Sequence, residues 1–262
     1  NNMAGTHFRN PVMFAGLSNN TKWFKDLPVD HNPNYVVFND DFIGASLAQP
    51  PWNTSLADGG ASATTSTVDL NGNLTIASAA TTDNNGACVV TGSTSWQPAA
   101  KVVDSTGATT NPGSTIWFES RFKSADVDQT NFGAGLVVTG ITGSEGWSTG
   151  NRISIESADG IGNIQFVTDD AAGTTTTNYT TGAGTLTDAT YITVGFKAHG
   201  TSQVDFYVNR MFAGTHTANI PTDELQGFLA SVSGDATGTK STDFDYWYCV
   251  NNRNASELRG NI

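Results

Sequence analysis

Ile116-Trp-Phe-Glu-Ser-Arg-Phe122 alternates. Ile116, Phe118, Ser120 and Phe122 fall on one side of an extended chain and Trp117, Glu119 and Arg121 on the other, because successive side chains of a strand point to opposite faces. That pattern is a strand with one face on a core and one in water, with Glu119 and Arg121 placed as a same-face ion pair. Working outward, Arg152-Ile-Ser-Ile-Glu156 sets Ile153 and Ile155 against Arg152, Ser154 and Glu156. Tyr191-Ile-Thr-Val-Gly-Phe-Lys197 and Val204-Asp-Phe-Tyr-Val208 repeat the alternation. Thr242-Asp-Phe-Asp-Tyr-Trp-Tyr-Cys-Val250 sets Phe244, Tyr246, Tyr248 and Val250 against Asp243, Asp245, Trp247 and Cys249. Upstream, Tyr35-Val-Val-Phe-Asn-Asp-Asp-Phe42 reads as a first strand. Thr67-Val-Asp-Leu70 and Asn73-Leu-Thr-Ile76 flank Asn71-Gly72, a type I′ hairpin signal. Helix is confined to one turn at Thr222-Asp-Glu-Leu-Gln226, after Pro221. Roughly a dozen strands without a βαβ rhythm, and without a repeat of about 20–50 residues, predict an all-β, two-sheet antiparallel sandwich.

Composition agrees. Of 262 residues, 37% are hydrophobic, 14% are charged and 28 are glycine, so small neutral polar groups carry the solubility expected of the chain. The 12 Lys and Arg against 24 Asp and Glu give a formal charge of −12, which speaks against nucleic-acid and anionic-membrane partners. No apolar run reaches the ~20 residues of a membrane span, and the N-terminus lacks a basic-then-apolar leader pattern. Cys88 and Cys249 have no metal-ligand spacing and read as buried free thiols in preference to a disulfide.

Residues 1–34 differ from the remainder. Phe8, Val12, Met13, Phe14, Trp23 and Phe24 are scattered between Pro11 and Pro28 with neither a period of 2 nor one of 3.6. An extended arm follows, with those six apolars as its partner-binding residues, since a purely disordered tail is poor in large apolars. The domain reading is therefore an arm at 1–34, the sandwich at 35–253 and a tail at 254–262.

Asp40-Asp41-Phe42, Asn71-Gly-Asn-Leu-Thr-Ile76, Trp117-Phe-Glu-Ser-Arg-Phe122, Asp205-Phe-Tyr-Val-Asn209, Asn219-Ile-Pro221 and Asp243-Phe-Asp-Tyr246 occur in an order that resembles the concanavalin A-like, laminin-G-like jelly-roll superfamily. The arm, Met3-Ala-Gly-Thr-His-Phe-Arg-Asn-Pro-Val12 followed by Trp23-Phe-Lys-Asp-Leu-Pro28, resembles the start of virion structural proteins of tailed bacteriophages. Together the resemblances imply a virion structural protein at the capsid surface. Its role would be head decoration, as a homo-oligomer anchored through the arm to other virion proteins such as a major capsid protein. A glycan-adhesive module or tail fibre adhesin is the alternative, with Trp147, Tyr179 and Trp247 as sugar-stacking candidates.

Laminarinase-like glycosidases of this jelly roll carry two carboxylates on one strand face, spaced Glu-x-Asp-x-Glu. This chain lacks that motif: Glu156-Ser-Ala-Asp159 has the wrong spacing, and Glu119 stands without a second acid. The expectation is no enzymatic activity and no catalytic residue, although either glutamate can still meet an acid from a neighbouring strand. Some jelly-roll relatives hold a structural calcium ion. Asp41 and Asp245 are the candidate ligands here, but no complete calcium loop is present, and the expectation is no cofactor and no metal.

Overall fold

The computed structural model describes residues 35–42, 52–56, 61–65, 72–78, 85–91, 96, 98, 102–103, 109–110, 114–138, 149–157, 162–180, 186–234 and 238–252. The arm residues Phe8, Val12, Met13, Phe14, Trp23 and Phe24 lie outside that set. Seventeen strands run through the described residues: β1 (Tyr35–Asp40), β2 (Trp52–Leu56), β3 (Ser62–Thr65), β4 (Leu74–Ala77), β5 (Gly86–Thr91), β6 (Val102–Val103), β7 (Thr109–Thr110), β8 (Thr115–Ser124) and β9 (Thr130–Val137), then β10 (Arg152–Ser157), β11 (Ile164–Asp169), β12 (Thr174–Tyr179), β13 (Ile192–His199), β14 (Gln203–Val208), β15 (Met211–His216), β16 (Gln226–Ser233) and β17 (Ser241–Asn252). One sheet has the order β15-β14-β13-β8-β17-β4-β3, with β1 also on β17, the other β12-β11-β10-β9-β16-β5-β2, and β6 and β7 pair as a separate two-stranded ladder. Every pairing is antiparallel. This is the all-β, two-sheet antiparallel sandwich that the alternation predicts, in the jelly-roll form that the resemblance implies.

Phenylalanine fills the space between the sheets. Phe118, Phe122, Phe196, Phe206 and Phe244 from one sheet meet Phe132 and Phe166 from the other, all at most 1% exposed. Phe166 stacks on Phe206 with centroids 4.6 Å apart, and Phe122 lies 4.2 Å from Phe132. Each such ring contributes ~1.5–3 kcal/mol by burial.

The structure corrects the sequence reading at four places. First, the ladder between β17 and β8 slips one residue between Phe244 and Tyr246, so Asp245 is an extra residue in a β-bulge. The slip reverses the faces beyond it. Phe244 points inward as expected, but so do Trp247 and Cys249, while Tyr248 and Val250 join Trp117 and Tyr207 outside. Ser120 steadies the bulge by donating to the Tyr246 carbonyl at 2.7 Å.

Second, Glu119 and Arg121 do not pair with each other. Glu119 takes Arg210 at 3.0 Å and the Tyr246 hydroxyl, and Arg121 takes Asp245 at 2.9 Å, because β17 and the β14–β15 turn offer closer partners than i+2 on one strand. Third, the described partner of β4 is β3, with Ala63 opposite Ile76 and Thr65 opposite Leu74, and not Thr67–Leu70. Residues 66–71 lie outside the described set.

Fourth, no helical turn forms at Thr222–Gln226. Leu225 instead bridges to Trp96, and Gln226 opens β16, where burial of Leu225 outweighs a weak local helix signal. Both cysteines are buried and neither forms a disulfide, and they lie on opposite faces of different sheets: Cys249 is in the main core, and Cys88 is in a second apolar cluster with Val137, Phe228, Ala230 and Val232.

Candidate functional site

Strand β10 carries Arg152, Ser154 and Glu156 on the face that looks away from the interior, since Ile153 and Ile155 occupy the core. That outer face is not wet, as the alternation alone suggests. Arg152 and Glu156 are 5% and 7% exposed and Ser154 is fully buried. Three charged or polar groups therefore leave water, and they remain satisfied by meeting one another, Asp169 and the Gly150 carbonyl.

The Arg152 side chain runs along its own strand and donates from Nε to Glu156 Oε1 at 2.9 Å. The same carboxylate oxygen accepts from the Ser154 hydroxyl. From its other end Arg152 donates through Nη1 to Asp169 Oδ2 at 2.9 Å, across the register pair Arg152–Asp169 that joins β10 to β11. Asp169 also accepts from the Thr174 hydroxyl at 2.7 Å and from the Ala171 amide at 2.9 Å. One guanidinium thus holds two carboxyl groups from two strands. Burial pushes the Glu156 carboxyl above its ordinary value of 4.5, and nearby Asp169 adds to the rise against the opposing pull of Arg152 and Ser154. Glu156 is accordingly a carboxyl that keeps its proton to higher pH than a solvated glutamate.

The local backbone makes room for this group. On the β9 side, Gly135 stands opposite Ser154 and Gly133 opposite Glu156, so that strand sets no side chain against either, while Val137 stands opposite Arg152. Gly135 has φ +148°, and an added Cβ would meet the Ile153 carbonyl oxygen at 2.4 Å, a fit open only to glycine. On the other side, the row through Glu156 continues to Gln165 on β11 and Asn178 on β12. Gln165 donates to Asn178 at 2.8 Å, and this pair is exposed. The row passes from a buried acid to a surface pair of amides within three adjacent strands.

The sequence-derived candidates fall elsewhere. Trp247 is fully buried, T-shaped to Trp52 at 5.6 Å and to Phe38 at 5.2 Å, and so offers no ring face to a sugar. The bulge at Asp245 is the physical reason. Tyr179 packs against the core on the interior side at the end of β12, 5.7 Å from Phe166. Trp147 lies outside the described residues. Of the calcium candidates, Asp41 is exposed and Asp245 is ion-paired with Arg121. Among the described residues no three His, Cys, Asp or Glu side chains gather as a metal site.

The alternation sets Arg152, Ser154 and Glu156 on one face, at the spacing of Glu-x-Asp-x-Glu, but does not reveal that they are buried together. Asp169, Gln165 and Asn178 join only through strand register, which no motif spacing encodes.

No protein-family model and no curated protein sequence matches the chain. Solved structures match its fold. A β-glucanase of Bacillus licheniformis superposes with a TM-score of 0.56 at 12% identity, covering 83% of this chain and 98% of that one. An endo-β-1,3-glucanase from Pyrococcus furiosus gives 0.54 at 13% identity, covering 82% and 93%. A glycoside hydrolase family 16 endo-glucanase from Bacteroides ovatus gives 0.54 at 11% identity, covering 81% and 99%. Identities this low carry the fold and not the activity. Nothing in these matches connects the chain with a phage particle, and the recurrence of glucanases corrects two expectations drawn from the sequence: the capsid decoration protein and the absence of enzymatic function. The two resemblances rested on strand motifs shared across the whole jelly roll and on a short arm, and neither reports on the face that carries Glu156.

Proposed function

We propose that this protein is carbohydrate-active and engages a β-linked glucan on the outer face of the β12-β11-β10-β9-β16-β5-β2 sheet, along the row Glu156, Gln165, Asn178. The observation that carries the proposal is that row: an acid of raised pKa continuing into an exposed amide pair, on a fold shared with glucanases. Amides and hydroxyls donate and accept in the fixed directions that sugar hydroxyls need, and Asn178, Gln165 and Thr174 supply them.

The raised pKa of Glu156 favours a chemical role as well. A carboxyl that keeps its proton can donate it to a glycosidic oxygen as the bond to the leaving sugar breaks. The second carboxyl of the group is Asp169 on the neighbouring strand. Alternate positions of β10 itself hold Arg152 and Ser154, so a carboxylate pair on a single strand is not how this chain works. In the resting arrangement Arg152 holds Glu156 and Asp169 together, and a sugar that bonds to Arg152 would free the Glu156 carboxyl to act.

Incubation of the full chain with β-1,3-glucan and with mixed-linkage β-1,3-1,4-glucan tests both parts, with binding followed by affinity electrophoresis and cleavage by release of reducing ends. Retardation by at least one glucan is expected, with reducing-end release that Glu156→Gln abolishes while retardation persists. Migration unchanged by either glucan would overturn the proposal.

A further inference from the structure

The two sheets end on the same side of the sandwich at strands β12 and β15, joined across the layers where Thr177 meets His216 Nε2 at 3.0 Å and Asn219 donates to Thr175 at 3.0 Å. The outer side of an edge strand presents unpaired N–H and C=O groups, and proteins ordinarily protect it with lysine, proline or a bulge. β15 has a bulge: its register against β14 slips between Phe206 and Tyr207, leaving Ala213 as the extra residue. β12 has none of these devices. Thr174-Thr-Thr-Thr-Asn-Tyr179 runs six residues in unbroken register with β11, without a charge or a proline, and four of the six are exposed.

In a chain of formal charge −12, a neutral edge is where a second copy can approach with least repulsion. Threonine on both faces also suits self-pairing. Antiparallel alignment centred on Thr176 sets Thr176 against its own copy and Thr175 against Thr177, favourable cross-strand pairs that share a face, and sets no like charges against each other.

We propose that the occupant of this edge is a second copy of the chain, joined β12 to β12 in antiparallel fashion, so that the sheet bearing Glu156 continues across a two-fold axis into its partner. The ladder supplies a closed, isologous contact. The proposal does not depend on glucan binding.

Sedimentation velocity of the full chain over a concentration series, with Thr176→Lys and the matched surface variant Thr187→Lys, tests it. Wild type and Thr187→Lys are expected to sediment at about twice the 27.5 kDa mass of the chain. Thr176→Lys, which sets two lysines beside the two-fold axis, is expected to sediment as a monomer with an unchanged thermal midpoint. A wild-type monomer at every concentration, an open-ended series of larger species, or a dimer that survives Thr176→Lys would each overturn the proposal.

Discussion

Arg152 reaches along its own strand to Glu156 at 2.9 Å and, with its other end, across to Asp169 at 2.9 Å. All three side chains are at most one-tenth exposed, so each carboxyl relies on the one guanidinium, and the outer face of the sheet is organised around that cation.

Arg152→Met should therefore destabilise the fold by about 3–5 kcal/mol in urea unfolding, because two buried carboxyls lose their counter-charge. Adding Asp169→Asn is expected to recover part of the loss, since the two positions share one interaction. Additive costs in the double variant would show that the pair is not coupled.

The pH dependence has a defined sign. A carboxyl whose folded pKa stands above its ordinary 4.5 binds its proton more tightly in the folded state. Its stabilising contribution is full below about pH 4.5 and is lost as the pH rises through the folded value. Between about pH 4 and 7, the stability of wild type measured against Glu156→Gln should fall. A difference that stays flat or rises would mean that Glu156 is an ordinary ionised glutamate.

Gly227 of β16 faces Trp247 of β17 across the sandwich, and a Cβ at 227 would stand 2.3 Å from the indole Cζ2. Gly227→Ala should cost about 1–3 kcal/mol by overpacking, read as a lowered thermal midpoint. A neutral substitution would place the Trp247 ring elsewhere.

Phe206 has no exposed surface and contacts Phe166, Phe196 and His216 with ring centroids at 4.6, 6.2 and 4.9 Å. Phe206→Ala should cost about 3–5 kcal/mol in urea unfolding through lost burial and a residual cavity. A change below about 0.5 kcal/mol is what an exposed position gives and would put this ring outside the core.

These positions show how far the sequence carries. Phe118, Ile155 and Phe206 were legible as core because period-2 alternation is a local property of one strand. Trp247 was not, because a single extra residue at Asp245 reverses every face beyond it, and a bulge is specified by the neighbouring strand rather than by its own composition. The site divides in the same way. Arg152, Ser154 and Glu156 were visible as one face of one strand, but their burial was not, and Asp169, Gln165 and Asn178 arrive only through the pairing of β10 with β11 and of β11 with β12.

The account rests on the glucan lying along the row from Glu156 to Asn178, and calorimetric titration of wild type and Gln165→Ala/Asn178→Ala with mixed-linkage β-glucan addresses that most directly. Both substituted residues lie at the surface, so the variant should unfold at the wild-type temperature while its affinity drops about tenfold, the loss of two hydrogen-bonding amides. No heat of binding in wild type, or equal affinity in the two proteins, would contradict it.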